Sequence, residues 1–105
     1  AAIELIRPGV KASEIFQAAV DGTRKAGLPT FDRSHCGHGI GLEMYDEPVI
    51  YPHNETVLEK NMVINIENPF YSIGFGAAQV EDTILVTNDG SEMLSTSDRD
   101  LRIIR

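Results

Sequence analysis

The chain has one cysteine, no tryptophan and few basic residues, and each shortage excludes something. With Cys36 alone there is no intrachain disulfide, so packing must hold the fold, and a reducing cytoplasm is the expected compartment. No window approaches the roughly 18 consecutive apolar residues that span a bilayer, and no basic start precedes an apolar run, so no membrane partner or signal peptide is expected. Lysine and arginine total 9 against 16 aspartates and glutamates, a formal net charge of −7. A surface of that sign repels phosphate backbones and argues against nucleic acid as a partner. The same acidity serves solubility, and it is also compatible with carboxylates that hold divalent cations. An initiator methionine is missing too, as expected of a piece of a longer polypeptide.

What is present is ordinary for a small globular domain: 105 residues, 42% hydrophobic and 24% charged. Ala1 to Ile6 reads as a short helix stopped by Arg7-Pro8-Gly9. Ser13 is placed to N-cap a second helix, with Glu14 favourable to its dipole. Ile15, Phe16, Ala19 and Val20 recur on one face of that helix, Gly27 sits at its C′ position and Pro29 prevents continuation. Gly37, Gly39 and Gly41 around His38 read as a flexible, backbone-exposed segment. Pro48 to Glu55 reads as a surface loop and Leu58 to Asn61 as a turn. The β-branched run Met62 to Glu67 predicts a strand. Phe70 to Gly76 reads as a loop. Ala78 to Thr87 predicts a longer strand, with a hairpin turn at Asn88-Asp89-Gly90 and a return strand over Glu92 to Thr96. Ser97 to Arg105 is left as a tail or short strand. Helices first and antiparallel strands after make the class α+β.

Three residues are candidates for chemistry. A glycine-flanked histidine such as His38 is, taken alone, more often structural than ligating. The glycines do not make a phosphate loop, because the spacing of neither the dinucleotide fingerprint nor a P-loop is present. Glu67 ends an apolar strand, where a buried carboxylate needs a partner, but Asn68-Pro69 equally allows an exposed turn. Strand alternation puts Glu81 and Asp82 on opposite faces, and both faces are partly apolar, so periodicity leaves the inward one open.

Taken in order, Gly37-His38-Gly39-Ile40-Gly41-Leu42, Met62-Val63-Ile64-Asn65-Ile66-Glu67-Asn68-Pro69 and Gln79-Val80-Glu81-Asp82-Thr83-Ile84-Leu85-Val86-Thr87 resemble three motifs of the pita-bread metallopeptidases. That family comprises methionine aminopeptidases, Xaa-Pro aminopeptidases and Xaa-Pro dipeptidases. The resemblance runs from Arg7-Pro8-Gly9 to Asp98-Arg99-Asp100-Leu101 and implies that residues 1–105 are the C-terminal half of the catalytic domain. It further implies a two-metal site of two Asp, one His and two Glu. His38 matches the His ligand, and Glu67 and Glu81 match the two Glu ligands, Glu81 as the bridge. Imidazole and carboxylates suit Mn²⁺, Co²⁺, Fe²⁺ or Zn²⁺, and two such ions about 3.5–4 Å apart activate water and clamp a carbonyl. The residue matching Glu67 also moves protons in catalysis. Glu67-Asn68-Pro69-Phe70-Tyr71 and Glu81-Asp82 are closer to the Xaa-Pro branch, which implies a proline-directed peptide substrate.

Two departures from the pattern stand out. The family's two Asp ligands belong to an upstream hairpin that has no equivalent here, so the chain alone is expected to bind no metal, or one ion weakly, and to be inactive. Tyr45, in Met44-Tyr45-Asp46-Glu47-Pro48, stands where the family usually has a substrate-binding His. A phenol still donates a hydrogen bond but is no proton carrier near neutral pH. Tyr45 is therefore a candidate catalytic residue in altered form, while His35 and His53 match no ligand position and read as incidental. A non-catalytic binding module and a creatinase-type metal-independent C–N hydrolase are the alternatives on this scaffold. A half-fold leaves a sheet surface to cover, so a homodimer is expected.

Overall fold

A computed structural model of the chain describes residues 1–104. Two helices, α1 (Ala2–Leu5) and α2 (Ala12–Lys25), precede six strands: β1 (Gly37–Gly39), β2 (Val63–Glu67), β3 (Phe70–Ser72), β4 (Gly76–Ala78), β5 (Glu81–Val86) and β6 (Ser91–Met93). The main sheet is antiparallel throughout in the order β1-β2-β5-β6, and β3 and β4 form a separate hairpin. The α+β expectation of two helices followed by antiparallel strands is borne out.

Helix α2 forms where its apolar stripe predicts, with Ile15, Phe16, Ala19 and Val20 buried. Its start lies two residues earlier than the sequence reading has it. Lys11, not Ser13, is the N-cap, and the Glu14 carboxylate accepts the Lys11 N–H at 2.9 Å. Ser13 is released from capping because tertiary structure supplies the acceptors. The Thr56 and Asn54 carbonyls take the N–H groups of Ala12 and Ser13 at 3.0 and 2.9 Å, and the Ser13 hydroxyl donates to Glu55. Gly27, at φ +117°, ends the helix as expected.

The stripe of α2 joins Ile64 and Ile66 of β2, Ile84 and Val86 of β5, and Ile6, Phe31, Cys36, Ile50 and Leu58 in one buried cluster. One face of the sheet is thereby committed to the core. Asp82 lies on that face and is buried, its charge met by Arg99 at 3.0 Å.

Three loop and strand readings are corrected. The glycine segment at His38 is no flexible loop: residues 37–39 are an edge strand paired with β2. At Gly37, with φ +151°, a Cβ would run into the Asn65 carbonyl, so glycine here permits close strand approach rather than mobility. Phe70 to Gly76 contains most of the β3–β4 hairpin, so the expected long strand from Ala78 is divided, Ala78 closing β4 and Glu81 opening β5. The return strand is shorter than Glu92 to Thr96, because beyond Met93 the Ser95 hydroxyl replaces a backbone acceptor for the Thr83 N–H, at 2.8 Å. The Asn88-Asp89-Gly90 turn does join β5 to β6, Thr87 donating to the Gly90 carbonyl at 3.0 Å. Residues 97–104 carry no helix or strand, and Arg105 lies outside the described residues. No helix among the described residues is long and apolar enough to cross a membrane.

Candidate metal centre

The sheet's second face carries the polar groups, and strand register explains how residues far apart in sequence share it. His38 of β1 stands opposite Asn65 of β2, which stands opposite Thr83 of β5. Two residues along β2, Glu67 stands opposite Glu81. Because side chains alternate, Asn65 and Glu67 project together, as do Glu81 and Thr83. The result is two adjacent rows, His38–Asn65–Thr83 and Glu67–Glu81, on the face away from Ile64, Ile66, Ile84 and Val86.

His38, Glu67 and Glu81 of these rows floor a cleft of about 420 Å³, rimmed by Arg33, His35, Met44, Tyr45, Tyr71 and Gln79. All four sequence candidates, His38, Tyr45, Glu67 and Glu81, therefore meet at one place. The question left open for Glu67 is answered by its 8% exposure: it is buried. Between Glu81 and Asp82, Glu81 takes the cleft side and remains exposed, while Asp82 faces the core.

Hydrogen bonding gives each group an orientation. His38 Nδ1 lies 2.8 Å from the Gly39 carbonyl, which can only accept, so Nδ1 carries the hydrogen, and in the neutral ring the lone pair is on Nε2. That Nε2 is 3.8 Å from Glu81 Oε1. Asn65 donates to Glu81 Oε1 at 2.6 Å, and Thr83 donates to the Asn65 oxygen at 2.8 Å, which fixes the direction of the amide. Gln79 Nε2 donates to Glu67 Oε2 at 2.8 Å and to Glu81 Oε2 at 3.2 Å. The Tyr45 ring meets both His35 and His38 edge-on, with centroids 5.2 and 5.0 Å away.

His35, read as incidental, is corrected: its Nε2 lies 3.2 Å from Glu67 Oε1, and Ser34 Oγ sits 3.2 Å from its Nδ1. His53 is exposed on the surface, as read. Arg33 stacks 5.5 Å over the Tyr71 ring, and its buried Nε has no hydrogen-bond partner. Beneath the cleft, the buried Cys36 thiol is pushed up to about 11, first by desolvation and then by the Glu67 charge, against an opposing pull from Arg33.

As donors, a neutral imidazole nitrogen and two carboxylates suit a divalent transition ion. Among the described residues no three His, Cys, Asp or Glu side chains already converge on one point, because the glutamates are engaged by amide and imidazole groups. The sequence reading missed Asn65 and Gln79, yet a signal existed. Each lies two residues before a candidate glutamate, the strand spacing that puts side chains on a shared face.

The chain is similar to known proteins along nearly its whole length. The description of metallopeptidase family M24 matches residues 1–88. An Xaa-Pro dipeptidase from Lactobacillus helveticus is 39% identical over 104 residues, 99% of this chain and 28% of that protein. An Xaa-Pro dipeptidase from Pyrococcus horikoshii is 37% identical over 100 residues, 95% of this chain and 28% of that protein. Among solved structures, the prolidase from Pyrococcus furiosus superposes with a TM-score of 0.84 at 36% identity, covering 93% of this chain and 29% of that one. A methionine aminopeptidase from Rickettsia prowazekii superposes less well, at 0.65 with 30% identity, covering 88% of this chain and 46% of that one. The chain thus spans under a third of the length of the dipeptidases it matches. Two helices, an antiparallel sheet shared with the pita-bread prolidases and the match over residues 1–88 lead to one conclusion: this chain belongs to metallopeptidase family M24.

Proposed function

We propose that the chain supplies His38, Glu67 and Glu81 to the two-metal site of an Xaa-Pro dipeptidase, as the C-terminal half of its catalytic domain. The observation that carries this reading is the meeting of the three residues with Tyr45 in one cleft. The similarity to Xaa-Pro dipeptidases at 37–39% identity supports the substrate class, a short peptide with proline after the scissile bond. Three donors do not complete a two-metal site, so two carboxylates from upstream Asp residues outside this chain finish it. The metals are drawn from Mn²⁺, Co²⁺, Fe²⁺ and Zn²⁺, all suited to this donor set. Bound there, they supply an acidified water and polarise the scissile carbonyl.

The chain's own residues do the rest. His38 offers Nε2 because Gly39 holds its other nitrogen. Glu67, buried and within reach of His35, accepts the proton of the attacking water and returns it to the departing amine. Tyr45 donates its hydroxyl to the substrate carbonyl oxygen, in place of the usual histidine. Arg33, a cation in an otherwise acidic cleft with an unpaired Nε, takes a substrate carboxylate.

Metal analysis and assay of the longer polypeptide test the proposal together. Close to two transition ions per subunit and hydrolysis of Xaa-Pro dipeptides are expected, with Glu67→Gln lowering kcat about 10²–10⁴-fold. A metal-free polypeptide with no such activity would instead indicate a binding module or a creatinase-type hydrolase. The isolated chain is inactive on this reading and holds at most one ion weakly. It also self-associates as a homodimer, consistent with the exposed Tyr71, Ile73 and Phe75 on the β3–β4 hairpin, and sedimentation as a clean monomer at high concentration refutes that.

A further inference from the structure

Glu67 and Glu81 create a problem that the fold must solve. They are direct cross-strand partners in an antiparallel pair, an arrangement that destabilises a sheet when both side chains carry the same charge. Burial of Glu67 aggravates the repulsion, since less water screens it. No lysine or arginine is paired with either carboxylate among the described residues. What lies between them is the Gln79 amide, donating at 2.8 Å to Glu67 Oε2 and at 3.2 Å to Glu81 Oε2. Asn65 and His35 hold the outer oxygens of the two groups, at 2.6 and 3.2 Å. Every oxygen of the pair is therefore directed by a contact, and among the described residues Gln79 alone hydrogen-bonds to both glutamates.

We propose that Gln79 is a positioning residue that spans the two glutamates in the metal-free protein and holds them ready for a shared divalent cation. The inference rests on the metal-site reading above and adds a role for a residue that donates no ligand in it. An amide suits the task for a definite reason. A lysine or arginine in its place would neutralise the pair and compete with the incoming cation, whereas a neutral donor orients both carboxylates and leaves their charge in place. The hairpin explains how Gln79 gets there, since β4 ends at Ala78 and β5 begins at Glu81, leaving Gln79 in the short link above the glutamates.

The test uses the full-length polypeptide, stripped of metal and titrated with Mn²⁺ by calorimetry. Gln79→Met keeps the length of the side chain and removes the donor; Gln79→Ala removes both. Position 79 is exposed, so both variants keep the parent circular dichroism spectrum. Each is expected to bind Mn²⁺ about 10–100-fold more weakly. A second readout separates positioning from a merely structural role. Without the amide the two carboxylates repel openly, so the metal-free variants melt lower than the parent at low salt and approach it at high salt. Parent-like Mn²⁺ affinity in both variants overturns the inference while leaving the metal site standing. A parent protein that takes up no Mn²⁺ overturns the metal-site reading itself, and this inference with it.

Discussion

Replacing Gly39 with alanine tests how β1 is built. Gly39 has no left-handed backbone, so the cost of a side chain there is steric. An added Cβ would press on the Glu47 carbonyl, with the Glu47 carbonyl carbon at 2.8 Å and the Asp46 oxygen at 3.0 Å. Those atoms are backbone and have no rotamer to yield, so the segment must retreat by about an ångström for the Glu47 oxygen to reach ordinary contact. Retreat strains the bonds that seat it, from Gly39 N–H to the Asp46 and Pro48 carbonyls at 2.8 and 3.1 Å. Both are made by the one Gly39 N–H, so losing them costs about 1–2 kcal/mol together, and overpacking costs about 1–3 kcal/mol. Both routes lead to roughly 2 kcal/mol, or about 10 °C in Tm for a domain of this size. Because the displaced segment follows Tyr45, the ring resonances of His38 and Tyr45 should shift as well. Gly90→Ala is the control: only the Thr87 hydroxyl lies within 4 Å, at 3.9 Å, and a change within about 0.5 kcal/mol is expected. Denaturant unfolding of the three proteins decides the matter. Equal stabilities and unmoved ring resonances would show that residues 46–48 are not seated on β1 and refute the reasoning.

Other consequences are equally direct. Cys36 ionises near 9 when unfolded and only at about 11 in the fold, so its contribution to stability is intact below pH 9 and is lost as pH rises toward 11. The loss is on the order of 2–3 kcal/mol relative to Cys36→Ala, read from denaturation at pH 8 and pH 11; parallel pH dependence in the two proteins refutes it. Ile84→Ala empties a fully buried position in β5 and should cost about 2–5 kcal/mol in the same assay, a cost under 1 kcal/mol being inconsistent with this core. Asn54 is buried and organises the loop after β1, donating to the Val49 carbonyl at 2.7 Å and accepting from Thr56 N–H at 2.9 Å. Asn54→Ala leaves those groups unpaired and should cost about 1–3 kcal/mol, whereas an unchanged melting curve argues that water replaces them. Tyr45→Phe keeps the edge-on packing and removes the hydroxyl, so kcat on an Xaa-Pro dipeptide should fall about 10²-fold with Mn²⁺ affinity unchanged. An undiminished kcat removes Tyr45 from the chemistry.

Much of this was legible in the sequence, for local reasons. The stripe of Ile15, Phe16, Ala19 and Val20 determined a helix by its period, and Gly27 with Pro29 determined its end, because these signals act through neighbouring backbone. The run Val63 to Ile66 determined a strand, and motif order carried the family and three candidate ligands. Tertiary structure decided what depends on distant partners. Periodicity could not say whether Glu81 or Asp82 faces inward, because both faces of β5 carry apolar residues; Arg99, arriving from the far end of the chain, made the inward place tolerable for Asp82. The glycines around His38 looked like flexibility until the Asn65 carbonyl showed what they make room for. Local sequence also carries no information on register, so His38, Glu67 and Glu81, separated by 29 and 14 residues, became neighbours only when β1, β2 and β5 paired.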